Sequence, residues 1–316
     1  MPPRLGINWE ITKKCNLRCV YCRVNAGEEM KGELSFSQAK KVVDKLFAAG
    51  YSHLKFTGGE PLIKDYFWDL VKYAHKKKML VSMFTNTLLI TKETLPLFKK
   101  YVSMVAVSLD SLYDEHNHLL RRPNADVVIN HIKELKKIGL PVAISATVTK
   151  INLHDLPELI SLAKEIGADE LKINDFVANG RACNNINLLK FERPFLDYLP
   201  EIVRTVKDTF NNEDVEFSKF FKCECDNSNL FINYKGDLYP CVELSYVSEY
   251  FKLGNLVLDL SNKLFSLNDN FYKQITKKDI CAYSYFHSSH FSACINRDKC
   301  PLRLAQYMRK AKDEVA

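Results

Sequence analysis

Along the first two hundred residues the apolar positions switch repeatedly between two periods. "LGINWEI", residues 5–11, alternates apolar and polar side chains with period two, as a strand with one buried face does. "SFSQAKKVVDKLFAAG" then changes to helical spacing, with a serine ahead of it as cap and Gly50 closing it. The same switch recurs: "HLKFT" reads as strand, "DYFWDLVKYAHKKK" as helix, "LVSMFT" as strand, "KETLPLFKKY" as a short helix and "VSMVAVSLD" as strand. The helix "VVINHIKELKKIG", the strand "PVAISATVT", the helix "LPELISLAKEIG" and the strand "ELKIN" complete the series. Six strands separated by crossover helices predict a parallel α/β sheet, because parallel neighbours need a connection of a dozen or more residues. Six units fall short of the eight that close a TIM barrel, so an open or partial barrel is expected, with its site at the carboxyl ends of the strands.

Beyond residue 215 the pattern changes. "NLFINYKGDLYPCVEL" predicts a hairpin turning at Lys235 and Gly236, and the segment to Pro301 carries six of the ten cysteines with little helical periodicity. The expected organisation is a barrel over residues 1–215, a small metal-stapled domain over 216–301 and a helical tail over 302–316. A segment so poor in periodic apolar runs gains its stability from metal binding.

Composition narrows the setting. The 316 residues are 47% hydrophobic and 26% charged, a globular balance without the run of about 18 apolar residues that would span a bilayer. "MPPRLGINWEITKK" lacks the continuous apolar stretch of a secretion signal, so a cytoplasmic protein with reduced thiols is expected. Ten cysteines in that compartment argue for metal or redox chemistry over a disulfide framework. The net charge of +7 comes from lysines spread along helices, which favours a solvated basic surface over a nucleic-acid face.

"TKKCNLRCVYCRV", residues 12–24, places Cys15, Cys19 and Cys22 on a loop at the carboxyl end of the first strand. Three thiolates at that spacing can hold three irons of a [4Fe-4S] cluster and leave the fourth iron open to a small ligand. A structural zinc site normally takes four protein ligands, and three unrelated cysteines would be the bland reading.

With these residues the chain resembles the radical S-adenosylmethionine enzymes, whose signature is a Cys-x3-Cys-x-aromatic-Cys loop after the first strand of a partial (β/α)6 barrel. Tyr21 fills the aromatic position. The resemblance implies that the open iron is chelated by S-adenosylmethionine. It also gives "TGGEP" a role: Gly58 and Gly59 allow close backbone approach, and Glu60, followed by Pro61, accepts from the methionine amino group, although Gly-Gly-Glu-Pro alone is a common turn. Ser108 and Asp110, in "VSLDS", match positions that touch the ribose or methionine moiety; capping of the next helix is the alternative. Asn86 in "FTNT" resembles the family's Thr-Asn pair, with the usual following glycine replaced by Thr87. Arg121 or Arg122 pairs with the methionine carboxylate, or both lie on a solvated face.

Cys225 and Cys241, bracketing Gly236, fall on neighbouring positions of the expected hairpin, and Cys281, Cys294 and Cys300 follow. This resembles the SPASM or twitch extension of the family, shortened: only the Cys-x5-Cys part of its late cysteine run is visible. Together with Cys223 these thiols are two fewer than two fully ligated clusters require, so at least one auxiliary [4Fe-4S] cluster is expected. Cys223 is a swap ligand, a spare thiol or a hydrogen-atom donor near the substrate. Cys183, in "VANGRACNN", reads as an ordinary thiol, and His287 and His290 as part of an aromatic-packed loop.

The resemblance implies reductive cleavage of S-adenosylmethionine to a 5'-deoxyadenosyl radical that abstracts a substrate hydrogen, fed by a flavodoxin- or ferredoxin-type electron donor. A ribosomally made peptide is the first expectation for the substrate, modified by crosslink, thioether or epimerisation. The chain starts at its first barrel strand, so the amino-terminal peptide-recognition domain common in such maturases is expected to be absent. A small-molecule dehydrogenase or cyclase, acting on a sugar, cyclitol or haem precursor, is the alternative. A non-catalytic iron-sulfur sensor is the alternative from another class.

Overall fold

The computed structural model describes residues 5–193, 195–209, 229–239, 242, 244–247, 249 and 252–258. The expected ligands Cys223, Cys225, Cys241, Cys281, Cys294 and Cys300, the histidines His287 and His290, and the tail 302–316 lie outside the described residues.

The expected alternation is present in order. Strand β1 (Leu5–Glu10) leads to helix α1 (Phe36–Ala48), then β2 (Tyr51–Thr57), α2 (Phe67–Lys76), β3 (Leu80–Thr85), α3 (Leu95–Tyr101) and β4 (Met104–Ser108). Two helices, α4 (Asp114–Leu120) and α5 (Ala125–Lys137), precede β5 (Val142–Val148), which is followed by α6 (Leu156–Glu165) and β6 (Glu170–Asp175). Three further helices follow, α7 (Arg181–Asn184), α8 (Ile186–Leu189) and α9 (Leu199–Thr209). Strands β7 (Asn229–Ile232) and β8 (Asp237–Tyr239), helix α10 (Leu244–Val247) and the short β9 (Gly254–Asn255) close the described part.

All nine strands form one sheet in the order β6-β5-β4-β3-β2-β1-β7-β8-β9. β1 to β6 pair in parallel with their sequence neighbours, as crossover helices require. The hairpin of β7 and β8 does turn at Lys235 and Gly236, and Gly236 takes the left-handed φ of +82°. Its first strand pairs in parallel with β1, Trp9 facing Ile232, so the hairpin continues the barrel sheet.

Burial explains the register. Ile7, Trp9, Leu54, Phe56, Val81, Met83, Val105, Val107, Val142 and Ile144 are all but fully buried on one face, where the helices pack. α1 presents Ala39, Val42, Val43 and Leu46 to it, and is started by a capping box in which Ser35 and Gln38 satisfy each other's backbone N–H. An aromatic run, Trp9 to Phe56 to Phe67 to Trp68 to Phe98, crosses from sheet to helices with ring centroids 5.0–5.5 Å apart. The opposite face carries Asn8, Lys55, Ser82, Phe84, Ser108, Ser145 and Lys172, each only partly buried. Among the described residues no helix is long and apolar enough to cross a membrane.

Candidate active site

The carboxyl ends of the strands hold the cysteine loop. Its entry is pinned by Glu33: Thr12 Oγ1 donates to the carboxylate at 2.7 Å, Lys13 N at 2.8 Å and Lys64 Nζ at 2.6 Å. Burial alone would raise the Glu33 pKa, but these donors hold it below the ordinary carboxylate value. The loop closes on itself through Cys15 N to Gly27 O and Gly27 N to Lys13 O, both 2.8 Å.

Each thiol in the loop faces an N–H donor. Leu17 N lies 3.4 Å from Cys15 Sγ, Ala26 N 3.3 Å from Cys22 Sγ and Arg122 Nη1 3.4 Å from Cys19 Sγ. Donors aimed at three sulfurs fit thiolates that ligate metal and would suit thiols poorly. Left to itself Cys15 resists ionisation: burial first, then the neighbouring Glu60, Cys19 and Cys22, push its thiol to about 11 against the N–H of Leu17. A bound metal reverses that balance by deprotonating its thiol ligands outright. Among the described residues no three His, Cys, Asp or Glu side chains converge on a single ion. A four-iron cluster does not ask them to, since each thiolate would meet a different iron.

"TGGEP" packs under this loop. Gly59 N donates to Thr12 O at 2.7 Å and Glu60 N to Lys14 O at 2.9 Å. The close approach that the two glycines permit is therefore to the chain's own segment 12–14. Glu60 is buried and accepts from Thr85 Oγ1 at 2.9 Å, Asn86 N at 2.8 Å and Leu62 N at 3.2 Å. Burial lifts its pKa to about 7, and among the described residues no cationic side chain forms an ion pair with it. A buried carboxylate bonded only by neutral donors keeps acceptor capacity for a further N–H donor such as an amino group. Pro61 opens a single helical turn for which Glu60 is the cap.

Asn86 follows β3 directly and donates to Asn16 Oδ1 at 2.8 Å, within the cysteine loop. Thr87, standing where the resemblance has a glycine, adopts the left-handed φ of +69°.

Ser108 and Asp110 do not cap the following helix, whose cap is Tyr113. Asp110 is buried, accepts from the hydroxyl of Tyr21 and from Thr147 N, and pairs with Arg122 at 3.0 Å. Ser108 contributes its carbonyl, which accepts from Arg122 Nη2 at 2.7 Å. The solvated-face reading of the arginine pair is corrected for one member: Arg121 is exposed with φ +56°, whereas the Arg122 side chain is 6% exposed. The left-handed turn at Arg121 ends α4 and swings Arg122 inward.

Sequence reasoning missed a second arginine. Arg181, on α7, donates from Nε to Cys19 O (2.8 Å), from Nη2 to Ala26 O (2.8 Å) and from Nη1 to Asn25 Oδ1 (3.0 Å). Asn185 Nδ2 adds a bond to Val20 O at 3.2 Å. Gly180 lies so close that a β-carbon would fall 2.4 Å from Arg23 O. The only sequence signal was the glycine ahead of Arg181 at a strand end. Cys183, in the same stretch, is exposed, and its sulfur lies 3.2 Å from Ala178 O.

The structure thus joins a largely parallel sheet, with helices on one face, to a three-thiol loop at the end of its first strand, a donor set that fits an iron-sulfur cluster. Residues 9–163 match the radical SAM superfamily model, so the chain carries a radical SAM domain, the domain of an enzyme superfamily that binds a [4Fe-4S] cluster and S-adenosylmethionine. It is 26% identical over 314 residues to the antilisterial bacteriocin subtilosin biosynthesis protein AlbA of Bacillus subtilis, covering 94% of this chain and 69% of AlbA. It is 33% identical over 183 residues to the AdoMet-dependent heme synthase of Methanosarcina barkeri, covering 57% of this chain and spanning about half (52%) of that protein. Among solved structures, Streptococcus suis SuiB bound to S-adenosylmethionine superposes with a TM-score of 0.72 at 18% identity, covering 94% of this chain and 72% of SuiB. That likeness is one of fold: the partial barrel.

Proposed function

We propose that this enzyme modifies a ribosomally made peptide. The observation that carries the reading is the reach of the AlbA match, 94% of this chain against 57% for the heme synthase, so the likeness to a bacteriocin biosynthesis protein extends well beyond the shared domain. SuiB, whose fold this chain shares, has also been solved bound to its precursor peptide SuiA.

Cys15, Cys19 and Cys22 would hold the cluster, which supplies, with S-adenosylmethionine bound, a radical able to abstract hydrogen from an unactivated C–H bond. The residues around it do the positioning. Glu60 would accept hydrogen bonds from the methionine amino group in a site that excludes water. Thr85 and the backbone of Asn86 aim that carboxylate, Asn86 steadies the cysteine loop through Asn16, and Gly58 and Gly59 let the two segments touch. Tyr21 and Asp110 fix the far side of the loop, and Ser108 faces the partly exposed inner side of the sheet, where a substrate would enter. We assign residues 1–215 to the barrel and 216–301 to an extension. There Cys225, Cys241, Cys281, Cys294 and Cys300 hold at least one auxiliary cluster, and Cys223 is a ligand or a hydrogen donor. A flavodoxin- or ferredoxin-type partner in the cytoplasm would deliver the electron.

The test is a mass measurement. Protein reconstituted without oxygen is given S-adenosylmethionine, dithionite and any short peptide found encoded beside its gene. A peptide that loses two mass units, or that takes up one non-exchangeable deuterium when the reaction is run in D2O, while 5'-deoxyadenosine accumulates supports the reading. Unchanged peptides, with consumption of a haem precursor under the same conditions, would overturn it in favour of the small-molecule reading that the heme synthase match offers.

A further inference from the structure

We propose that Arg122 is a positioning residue for the reductive step, fixing Cys19 and setting the potential at which the cluster accepts its electron. The inference rests on the ligand role proposed for Cys15, Cys19 and Cys22.

The guanidinium is committed in three directions. Nε pairs with Asp110 Oδ2 at 3.0 Å, Nη2 donates to Ser108 O at 2.7 Å, and Nη1 is directed at Cys19 Sγ at 3.4 Å. Its partner is held as firmly: Asp110 Oδ1 accepts from Thr147 N at 2.8 Å, on the neighbouring strand β5, and Oδ2 also accepts from Tyr21 of the cysteine loop. The side chains of Arg122 and Asp110 are 6% and 1% exposed, so solvent screens the pair little. A second anchor fixes the backbone, Arg122 N to Asn117 O at 2.7 Å. The planar fork thus ties the exits of β4 and β5 to one sulfur of the loop.

Such a contact has an electrostatic consequence. Reduction adds one negative charge to the cluster, and a cation donating an N–H to a ligand sulfur stabilises the reduced form more than the oxidised one. Arg122 therefore raises the potential. Asp110 sits behind the guanidinium and offsets part of its charge, so it lowers the potential. A merely structural role makes no such distinction, since damage to either residue would loosen the same corner.

The experiment is a dithionite redox titration of the full reconstituted chain, followed by EPR, on wild type, Arg122→Met, Arg122→Lys and Asp110→Asn. The relevant signal is the one absent from the triple Cys15, Cys19, Cys22→Ala variant. At a fixed potential Arg122→Met should lower the ratio of reduced to oxidised cluster by about tenfold, ~59 mV for one electron, with the lysine variant intermediate and Asp110→Asn displaced the opposite way. Unchanged potentials, or shifts of the same sign for the arginine and aspartate variants, would overturn the proposal. If Arg122→Met takes up no iron, the lysine and asparagine variants decide by the same rule. A wild type showing no signal that the triple variant removes refutes the ligand reading itself, and the inference falls with it.

Discussion

Gly59 lies so close to Lys14 that a β-carbon on it would stand 2.0 Å from the Lys14 carbonyl oxygen. No real side chain tolerates that distance, and the obstacle is backbone, which cannot swing aside. Gly58 is equally constrained: at φ +147° its β-carbon would meet Thr12 O at 2.5 Å. Gly59→Ala should therefore displace segment 12–15 and reduce iron bound through the three cysteines to the level of Cys15→Ala. Gly50→Ala is the control: φ is +85° but nothing lies within 4 Å, so it costs about 1 kcal/mol of stability and leaves iron uptake unchanged. Full iron uptake by Gly59→Ala would show that the loop does not need this contact.

Glu60 makes the cofactor-free protein sensitive to pH. Burial raises its folded pKa to about 7, above the ordinary carboxylate value of 4.5, so between those values the folded state holds a proton that the unfolded state has released. Stability from this group is full below about pH 4.5, declines as pH rises, and is lost above about 7, a span of up to about 3 kcal/mol. Asp175, lifted to about 7 by burial, contributes in the same sense. Urea melts of Glu60→Gln should show a shallower decline between pH 5 and 7 than wild type. S-adenosylmethionine affinity should rise more steeply with pH across the same window in wild type than in the variant, because the ionised carboxylate is the stronger acceptor for the methionine amino group. Parallel pH profiles for the two proteins would remove Glu60 from that role.

The barrel was legible because its information is local: period-two runs, helical spacing, Ser35 as cap and Gly50 as stop give each element separately. The cysteine loop was legible because its three thiols lie within eight residues. What escaped was contact at long range. Arg122 meets Cys19 across 103 positions and Arg181 meets it across 162, and a single arginine carries no periodicity or spacing to mark it. Nor did the hairpin's own pattern show that β7 would pair with β1, more than two hundred residues earlier.

Arg181 tests how far that missed contact matters. Its three bonds converge on Cys19 O, Asn25 Oδ1 and Ala26 O, so one side chain spans most of the cysteine loop. Arg181→Ala should cost about 2–3 kcal/mol, the worth of hydrogen bonds to a charged donor, and should accelerate amide exchange in residues 15–27 while leaving β2 to β5 protected. Arg181→Lys, a point charge without the fork, should recover only part of the protection. Unchanged exchange in the loop would mean that Gly180 and Asn185 hold it without the arginine.

Thr87 should reverse a familiar order of substitutions. It is fully buried, its φ of +69° is one that a β-branched residue adopts at a cost, and its hydroxyl lies 3.1 Å from His131 Nδ1. Replacement by alanine removes the hydroxyl bond and keeps a β-carbon in the left-handed region, so a loss of about 1–2 kcal/mol is expected. Replacement by glycine also removes the bond but relieves about 1–2 kcal/mol of backbone strain, against the added freedom of the unfolded chain. Thr87→Gly should accordingly be the more stable of the two by about 1 kcal/mol in urea melts, although glycine ordinarily ranks below alanine. Alanine equal to or above glycine would mean that the turn after β3 takes another backbone conformation, and Asn86 would then be aimed away from Asn16 and the cysteine loop.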